Sequence, residues 1–423
     1  MTATATELQR KGENARRASR RLGFLSTEIK NRALIATAEA LVVRQSEILE
    51  ANRTDYEQAR ATGLSEAMLD RMLLDSDRIE SMAADVRSIA ALPDPVGESI
   101  EGRTLPNGLE IARVRVPLGV IGAIFESRPN VTIDISSLAL KSGNAVILRG
   151  GKEAIRTNIV LAALAREAQA TAGVPDGALE LIEDTDRALV AEMLAMKETI
   201  DLLIPRGGAA LIQHVRDTAA MPVVAGGIGV CHTYVHEAAD LEKAIHVVDN
   251  AKRRRVSICN ALDTVLVDRS VVGEFLPALG KRWAETGVEM RCDPASLAIL
   301  EAAGVSATPA QPDDFGTEFL AMIAAIRVVE SLDDALMHLE RYGSGHSEAI
   351  ITEDYSVAER FLREVDAAAV YVNASTQFTD GGQYGLGSEV GISTQKMHAR
   401  GPMGLRELTS YKWIIRGTGQ VRP

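Results

Sequence analysis

The sequence predicts an α/β protein in which parallel sheets are wrapped by helices and a β-hairpin projects as a separate arm. Three observations lead there. Short apolar runs alternate with amphipathic stretches of helical period, the signature of βα units. An Asn107-Gly108 pair sits between two segments of strand character, a hairpin signal. The 423 residues exceed one ordinary domain and suggest two or three.

From about Glu7 to Ala91 the pattern is helical. In "NRALIATAEALVVRQSEILEANRTDYEQAR" apolar residues recur at helical spacing with charges on the other face. The prolines of "LPDPVGE" break it. "RTLPNGLEIARVRVP" then reads as a hairpin about a two-residue Asn107-Gly108 turn, with period-two alternation from Glu110 to Val116. An isolated hairpin is marginal in water, so this one must lie on another domain or subunit. "GVIGAIF" is a buried strand. "NAVILRGG" is a strand ending in Arg149-Gly150-Gly151, followed by the helix "IRTNIVLAALAREAQATAG". "IDLLIPRGG" repeats the device, with Arg206-Gly207-Gly208 opening "AALIQHVRDTA". Glycines there serve either as tight βα turns or as anion sites where backbone N–H groups face outward. The G-x-G-x-x-G fingerprint is absent; "GLGSEVG" comes nearest, with the wrong spacing.

A second α/β region begins after about Met221. "TVLVD", "AIRVV", "EAIIT" and "AAVYVNA" read as strands. "SLDDALMHLERYG" and "EDYSVAERFLREV" read as helices, with Ser331 and Glu353-Asp354 near their starts. The Gly-rich "FTDGGQYGLGSEVGISTQKMHARGPMG" has no clear period. Loops of that length in compact domains are usually functional or disordered, and its specific polar residues favour function. "LTSYKWIIRG" reads as a last strand.

The formal net charge of -12 argues against nucleic acid, which calls for a basic stripe. Three widely spaced cysteines, Cys231, Cys259 and Cys292, suit a reducing compartment and offer no zinc or disulfide framework. The N-terminal residues lack the apolar core of a signal peptide, and no apolar run spans a bilayer. A cytoplasmic protein is expected.

Within that acidic chain, "AKRRRVSICNALDT" gathers Lys252, Arg253, Arg254 and Arg255 just before Cys259. Cations lower a thiol's pKa and can hold an anionic substrate group. The alternative is a solvated helix end followed by a structural cysteine, since free cysteines are often buried. Cys231, in an apolar context, reads as core, and Cys292 as a residue near a turn. His232 and His236 have H-x-x-x-H spacing, but "CHTYVH" reads as a strand. There the two lie about 13 Å apart, too far for one metal ion, and no metal is expected.

Together, "VPLGVIGAIFESRPNVTIDISSLALKSGNAVILRGGKEA", "DLLIPRGG", "GIGVCHTYV", "NAKRRRVSICNALDTVLV", "YGSGHSEAIIT" and "VYVNASTQFTDGGQYGLGSEVGISTQKMHARGPMG" resemble the gamma-glutamyl phosphate reductases, a distant branch of the aldehyde dehydrogenase superfamily. The resemblance implies an aldehyde-dehydrogenase-like fold with a Rossmann-type cofactor domain, an α/β catalytic domain and an oligomerisation arm. It implies reduction of L-glutamyl 5-phosphate by NADPH to L-glutamate 5-semialdehyde and phosphate, through a thioester on Cys259, as the second step of proline biosynthesis. Asn130 matches the superfamily's oxyanion donor. Glu318 matches its nicotinamide-ribose ligand, and Arg149 and Lys152 fall at the adenosine ribose, where two cations suit a 2′-phosphate. Arg206, Gly207 and Gly208 correspond to the pyrophosphate loop. Arg255 joins the substrate ligands, with Ser393, Thr394, Lys396, His398 and Arg400. The chain departs from the usual pattern at Val256, Gln377 and Tyr384.

The expected boundaries are 1–104 and 119–230 for the NADPH domain, 231–400 for the catalytic domain, and 105–118 with 401–423 for the arm. A homo-oligomer is expected, and the resemblance also raises a contact with glutamate 5-kinase. Two rival readings are a hydrolytic NAD-dependent aldehyde dehydrogenase and a catalytically silent partner of that kinase. Against hydrolysis, Pro222, Val223, Val224 and Ala225 precede Gly226-Gly227, where hydrolytic relatives carry a general-base glutamate.

Overall fold

The computed structural model describes residues 6–422, in two compact units. The first runs to Gly226 and takes in Gly385–Gly391 and the chain from Met403 onward. The second holds Gly227–Tyr384 and Ile392–Pro402.

The first unit opens with five helices: α1 (Glu7–Leu22), α2 (Thr27–Val43), α3 (Gln45–Ala61), α4 (Glu66–Met72) and α5 (Ser76–Ala91). All but α3 start by the capping rule, in which a short polar side chain takes an orphan N–H of the first turn. Thr6 and Gln9 form a capping box on α1, and Ser26, Ser65 and Asp75 cap α2, α4 and α5. Next come the hairpin strands β1 (Ser99–Thr104) and β2 (Glu110–Pro117). β3 (Val120–Phe125), α6 (Asn130–Lys141), β4 (Ala145–Gly150), α7 (Ile155–Thr171), β5 (Leu179–Leu181), α8 (Ala188–Ala195), β6 (Leu202–Arg206) and α9 (Ala209–Thr218) complete the βα series. The sheet is parallel in the order β5-β4-β3-β6. Every residue of β3 is buried, as befits a strand covered on both faces. This order puts the two Arg-Gly-Gly turns, after β4 and β6, on either side of the end of β3.

The second unit carries β7 (Cys231–Val235), α10 (Leu241–Arg253), β8 (Leu262–Asp268), α11 (Val272–Thr286), β9 (Glu289–Cys292), α12 (Pro294–Ala302), β10 (Thr308–Pro309), β11 (Ile323–Val329), α13 (Leu332–Tyr342), β12 (Ser347–Ile351), α14 (Tyr355–Glu364) and β13 (Ala369–Val372). Two-residue strands β14 (Ile392–Ser393) and β15 (Gly401–Pro402) pair antiparallel. The main sheet is parallel, β10-β9-β11-β8-β7-β12-β13. Ser331 and Asp354 cap α13 and α14. Cys292, read from the sequence as lying near a turn, ends β9 and is buried in the core beside Trp283 and Met290. A four-residue strand is too short to show an alternation.

In the first unit, the last strand, β16 (Thr409–Arg416), pairs antiparallel with β2, giving a three-stranded sheet β1-β2-β16. The hairpin differs from the expected two-residue turn. Its last strand pair is Thr104 with Glu110. The Gly108 N–H donates to the Leu105 carbonyl, the Leu105 N–H donates to Leu109, and only Gly108 of the Asn-Gly pair takes positive φ, at 84°. Pro106 favours the i+1 position of an ordinary turn, so Gly108 alone supplies the left-handed residue that restores the strand twist.

Candidate active site

In the second unit Cys259 lies on a half-buried turn between α10 and β8. The loop of residues 227–229 packs against its backbone: a Cβ on Gly229 would stand 1.8 Å from the Cys259 carbonyl oxygen, so only glycine fits. Glu318 Oε1 accepts the Gly229 N–H at 3.2 Å. A Cβ on Gly227 would meet Thr394 Oγ1 at 2.6 Å. Cys259, Glu318 and Thr394, distant in sequence, thus converge on one glycine loop. Behind it, Cys231 Sγ donates to the Cys259 carbonyl at 3.3 Å. Burial pushes the Cys231 thiol well up, and Glu348 adds to this, which suits a structural donor rather than a nucleophile.

The basic run divides. Lys252 lies one turn after Val248 on the buried face of α10. It is fully buried and donates to the Leu262 carbonyl at 2.8 Å, with Asp263 at 3.7 Å. Burial lowers the Lys252 pKa and raises that of Asp263 to about 7, the lysine partly offsetting the latter. Arg253 is paired with Asp249 at 3.0 Å. Of the four cations expected around the cysteine, Arg254 and Arg255 are the exposed pair.

A short 3-10 turn, Thr376–Phe378, clasps the same segment. Thr376 Oγ1 donates to the Asn260 carbonyl at 2.8 Å, and Asn260 Nδ2 donates to the carbonyls of Gln377 and Thr379. Through Thr379 the turn joins a hydrogen-bonded series running Ser347, Thr379, Tyr371, Tyr384.

The other substrate candidates sit on the 392–402 segment. Ser393 is buried in β14 and accepts the Gln395 N–H at 3.2 Å. Lys396 and Arg400 both engage the Asp366 carboxylate. His398 has positive φ, 70°, and is exposed.

In the first unit the cofactor candidates gather at the carboxyl ends of β3, β4 and β6. Lys152 is exposed. Arg149 is half-buried, donating to the carbonyls of Gly150 and Thr185 at 3.0 and 3.1 Å; its Nε is buried without a partner. The Gly208 N–H, at the start of α9, donates to Glu126 Oε2 at 3.1 Å, so this turn binds an anionic oxygen. A Cβ on Gly207 would meet the same carboxylate, and one on Gly391 would meet Arg206 Nη1. Asn130 opens α6 and donates from Nδ2 to Asp134 Oδ2 at 2.8 Å. Sequence reasoning passed over Asp134, although the i, i+4 spacing from Asn130 marks a same-face pair once the helix is assigned. It also passed over Glu126 and Asp263.

His232 lies on β7 with Nδ1 2.9 Å from Glu348 Oε2, and His236 Nδ1 lies 2.9 Å from Thr352 Oγ1. Among the described residues no group of three or more His, Cys, Asp or Glu is arranged to hold a metal ion.

The aldehyde dehydrogenase family model matches residues 1–298. The chain is 56% identical over 423 residues to the gamma-glutamyl phosphate reductase of Dehalococcoides mccartyi, covering all of both chains. It is 51% identical over 415 residues to that of Escherichia coli, covering 98% of this chain and 100% of the relative. The crystal structure of the gamma-glutamyl phosphate reductase of Thermotoga maritima superposes with a TM-score of 0.96 at 48% identity, over 99% of this chain and 100% of that one. The chain therefore belongs to the aldehyde dehydrogenase family, and within it to the gamma-glutamyl phosphate reductases.

Proposed function

We propose that this protein reduces L-glutamyl 5-phosphate to L-glutamate 5-semialdehyde and phosphate, with NADPH, as the second step of proline biosynthesis in the cytoplasm. The observation that carries the reading is the setting of Cys259: a half-buried thiol whose loop is locked by Gly229 and Asn260, with two exposed arginines just upstream. The Cys259 sulfur attacks the acyl carbonyl carbon, and the carbon–oxygen bond to phosphate breaks with its electron pair leaving on phosphate. This leaves a thioester and divides one difficult step into two. Arg254 and Arg255 offer the cations that receive the departing phosphate. The family resemblance assigns Asn130 to the developing oxyanion, a role typically worth about 3–4 kcal/mol. When bound, the nicotinamide supplies the hydride that takes the thioester to the aldehyde level. Breaking the carbon–sulfur bond then restores the Cys259 thiolate.

The donor set at the ends of β4 and β6 suits a phosphorylated dinucleotide: exposed Lys152, Arg149 with a buried Nε that lacks a partner, and the turn of Arg206, Gly207 and Gly208, whose Gly208 N–H now holds the Glu126 carboxylate oxygen. Lys152 and Arg149 are assigned to the 2′-phosphate, and Glu318 to the nicotinamide ribose. Ser393, Thr394, Lys396, His398 and Arg400 are assigned to the glutamyl carboxylate and phosphate, with Lys396 and Arg400 exchanging Asp366 for substrate. Among the described residues no helix is long and apolar enough to cross a membrane. The three-stranded arm is assigned to pairing with a second copy, and glutamate 5-kinase is the partner expected to supply the acyl phosphate.

The absence of a carboxylate at Pro222–Ala225 supports phosphorolysis over hydrolysis. A positioned general base contributes about 10²–10⁴-fold, so the thioester resists water here. Oxidation of the semialdehyde with NADP should therefore require added phosphate or arsenate. Steady-state NADPH formation is the measurement; sustained turnover at a comparable rate without phosphate would overturn the reading in favour of a hydrolytic dehydrogenase.

A further inference from the structure

Gln377 is buried, and its amide is used at both ends. Nε2 donates to the Ala251 carbonyl at 2.7 Å and to the Arg255 carbonyl at 3.3 Å; Oε1 accepts from Arg254 Nη1 at 3.2 Å. Its own backbone carbonyl accepts from Asn260 Nδ2 at 3.3 Å, and its N–H donates to Ser375 Oγ at 3.3 Å. These contacts bracket the reacting segment on both sides, at Ala251–Arg255 before Cys259 and at Asn260 after it. The last carbonyls of a helix lack intrahelical donors, and the end of α10 meets that need with a side chain 126 residues away. Only a neutral amide fits all three side-chain contacts. A carboxylate offers no N–H to the two carbonyls, and a cationic side chain offers no acceptor to Arg254.

We infer that Gln377 is a positioning residue that holds Arg254 and the end of α10 in fixed register with Cys259, and so sets the affinity of the site for phosphate. The inference rests on the reading of Cys259 as nucleophile and of the adjoining arginines as phosphate ligands. Gln377 acts through Arg254 and the end of α10.

The test uses the full-length protein in phosphate-dependent oxidation of the semialdehyde with NADP, measuring KM for phosphate and for NADP separately. Gln377→Leu removes every amide contact. Gln377→Glu keeps the acceptor for Arg254 but adds a charge that neutralises it. Both should raise the phosphate KM, Leu by roughly tenfold, the low end for loss of a hydrogen bond to a charged group, and Glu by more, while the NADP KM stays within twofold. On an Arg254→Ala background, Gln377→Leu should add little further to the phosphate KM, because it acts through the side chain already removed. A residue serving only to fill space would lower thermal stability and leave the phosphate KM in place. A phosphate KM unchanged in both Gln377 variants overturns the inference. Should those variants fail to fold, Arg254→Ala decides alone: Arg254 is exposed, and an unchanged phosphate KM there also overturns it. Failure of the underlying reading shows differently, as phosphate-independent turnover in the unmodified protein or as turnover surviving Cys259→Ser.

Discussion

Three cysteines sit in three environments, and their reactivities should separate accordingly. Cys231 and Cys292 are buried; burial pushes the Cys231 thiol well up and that of Cys292 to about 11. Cys259 is half-buried. Since the thiolate is the reactive form, one fast equivalent of iodoacetamide should go to Cys259, located by peptide mass spectrometry, with the other two labelled only on unfolding. Cys259→Ser should lose turnover and keep NADPH binding. A second expectation concerns acid stability. His346 is buried and held neutral, its pKa lowered by burial from 6.5 to about 4. Above pH 6.5 neither folded nor unfolded chain protonates it, and its stability contribution is whole. As pH falls from 6.5 toward 4 the unfolded chain takes up a proton that the folded one refuses, and that contribution is lost. Asp263, raised to about 7, slopes the other way over the same range, so the informative quantity is a difference between variants. The gap in urea midpoint between the wild type and His346→Asn should narrow from pH 7.5 to pH 5; a constant gap would show that His346 carries no linkage.

At the scale of elements, loops define the site and strands aim them. The glycine loop after the first unit's last helix has no slack: an alanine Cβ at residue 229 would fall within 1.8 Å of the Cys259 carbonyl. Gly229→Ala should displace the cysteine by something near an ångström, and misplacement of that size costs on the order of 10²-fold in rate. The protein should stay folded by circular dichroism while kcat falls. The βα turns make a second case. Arg149 is occupied by the carbonyls of Gly150 and Thr185, whereas Lys152 is exposed. Removing both charges should weaken NADPH binding far more than NADH binding, with Lys152→Ala giving the larger share. Equal loss for the two cofactors, measured by fluorescence titration, would place the 2′-phosphate elsewhere.

For the whole molecule, the arm leaves one strand edge open with large apolar side chains on it. Among the described residues β16 is paired on one side only, by β2, and it exposes Tyr411, Trp413 and Ile415. Arg113 covers part of this aromatic surface, 4.7 Å from the Tyr411 ring centroid. An unpaired edge with large apolar side chains invites another chain unless it is blunted. Trp413→Glu with Ile415→Glu should therefore shift light scattering toward the monomer mass and leave the monomer's circular dichroism unchanged. An unaltered mass would overturn the assignment of the arm to pairing with a second copy.

Much of this molecule was legible in one dimension, because the relevant physics is local. Helical period marks the helical region from about Glu7 to Ala91, apolar runs mark β3, β4 and β6, the last two by their Arg-Gly-Gly ends, and Ser331 and Asp354 mark the starts of α13 and α14, since capping and amphipathicity act within a turn or two. Cys259 stands out by its chemistry and its neighbours. Tertiary structure decided the remainder. Lys252 reads as one of four equal cations, yet helix rotation turns it into the core against Asp263. Lys396 and Arg400 read as free ligands, yet both meet Asp366, some thirty residues earlier. Asn107-Gly108 promised a two-residue turn, and Pro106 made it a longer one. Gln377 read as a departure from pattern; its meaning lies in the carbonyls of Ala251 and Arg255. Periodicity records which face of an element is apolar, but only the fold sets which distant polar group completes each hydrogen bond, and at this site those long-range partners aim the chemistry.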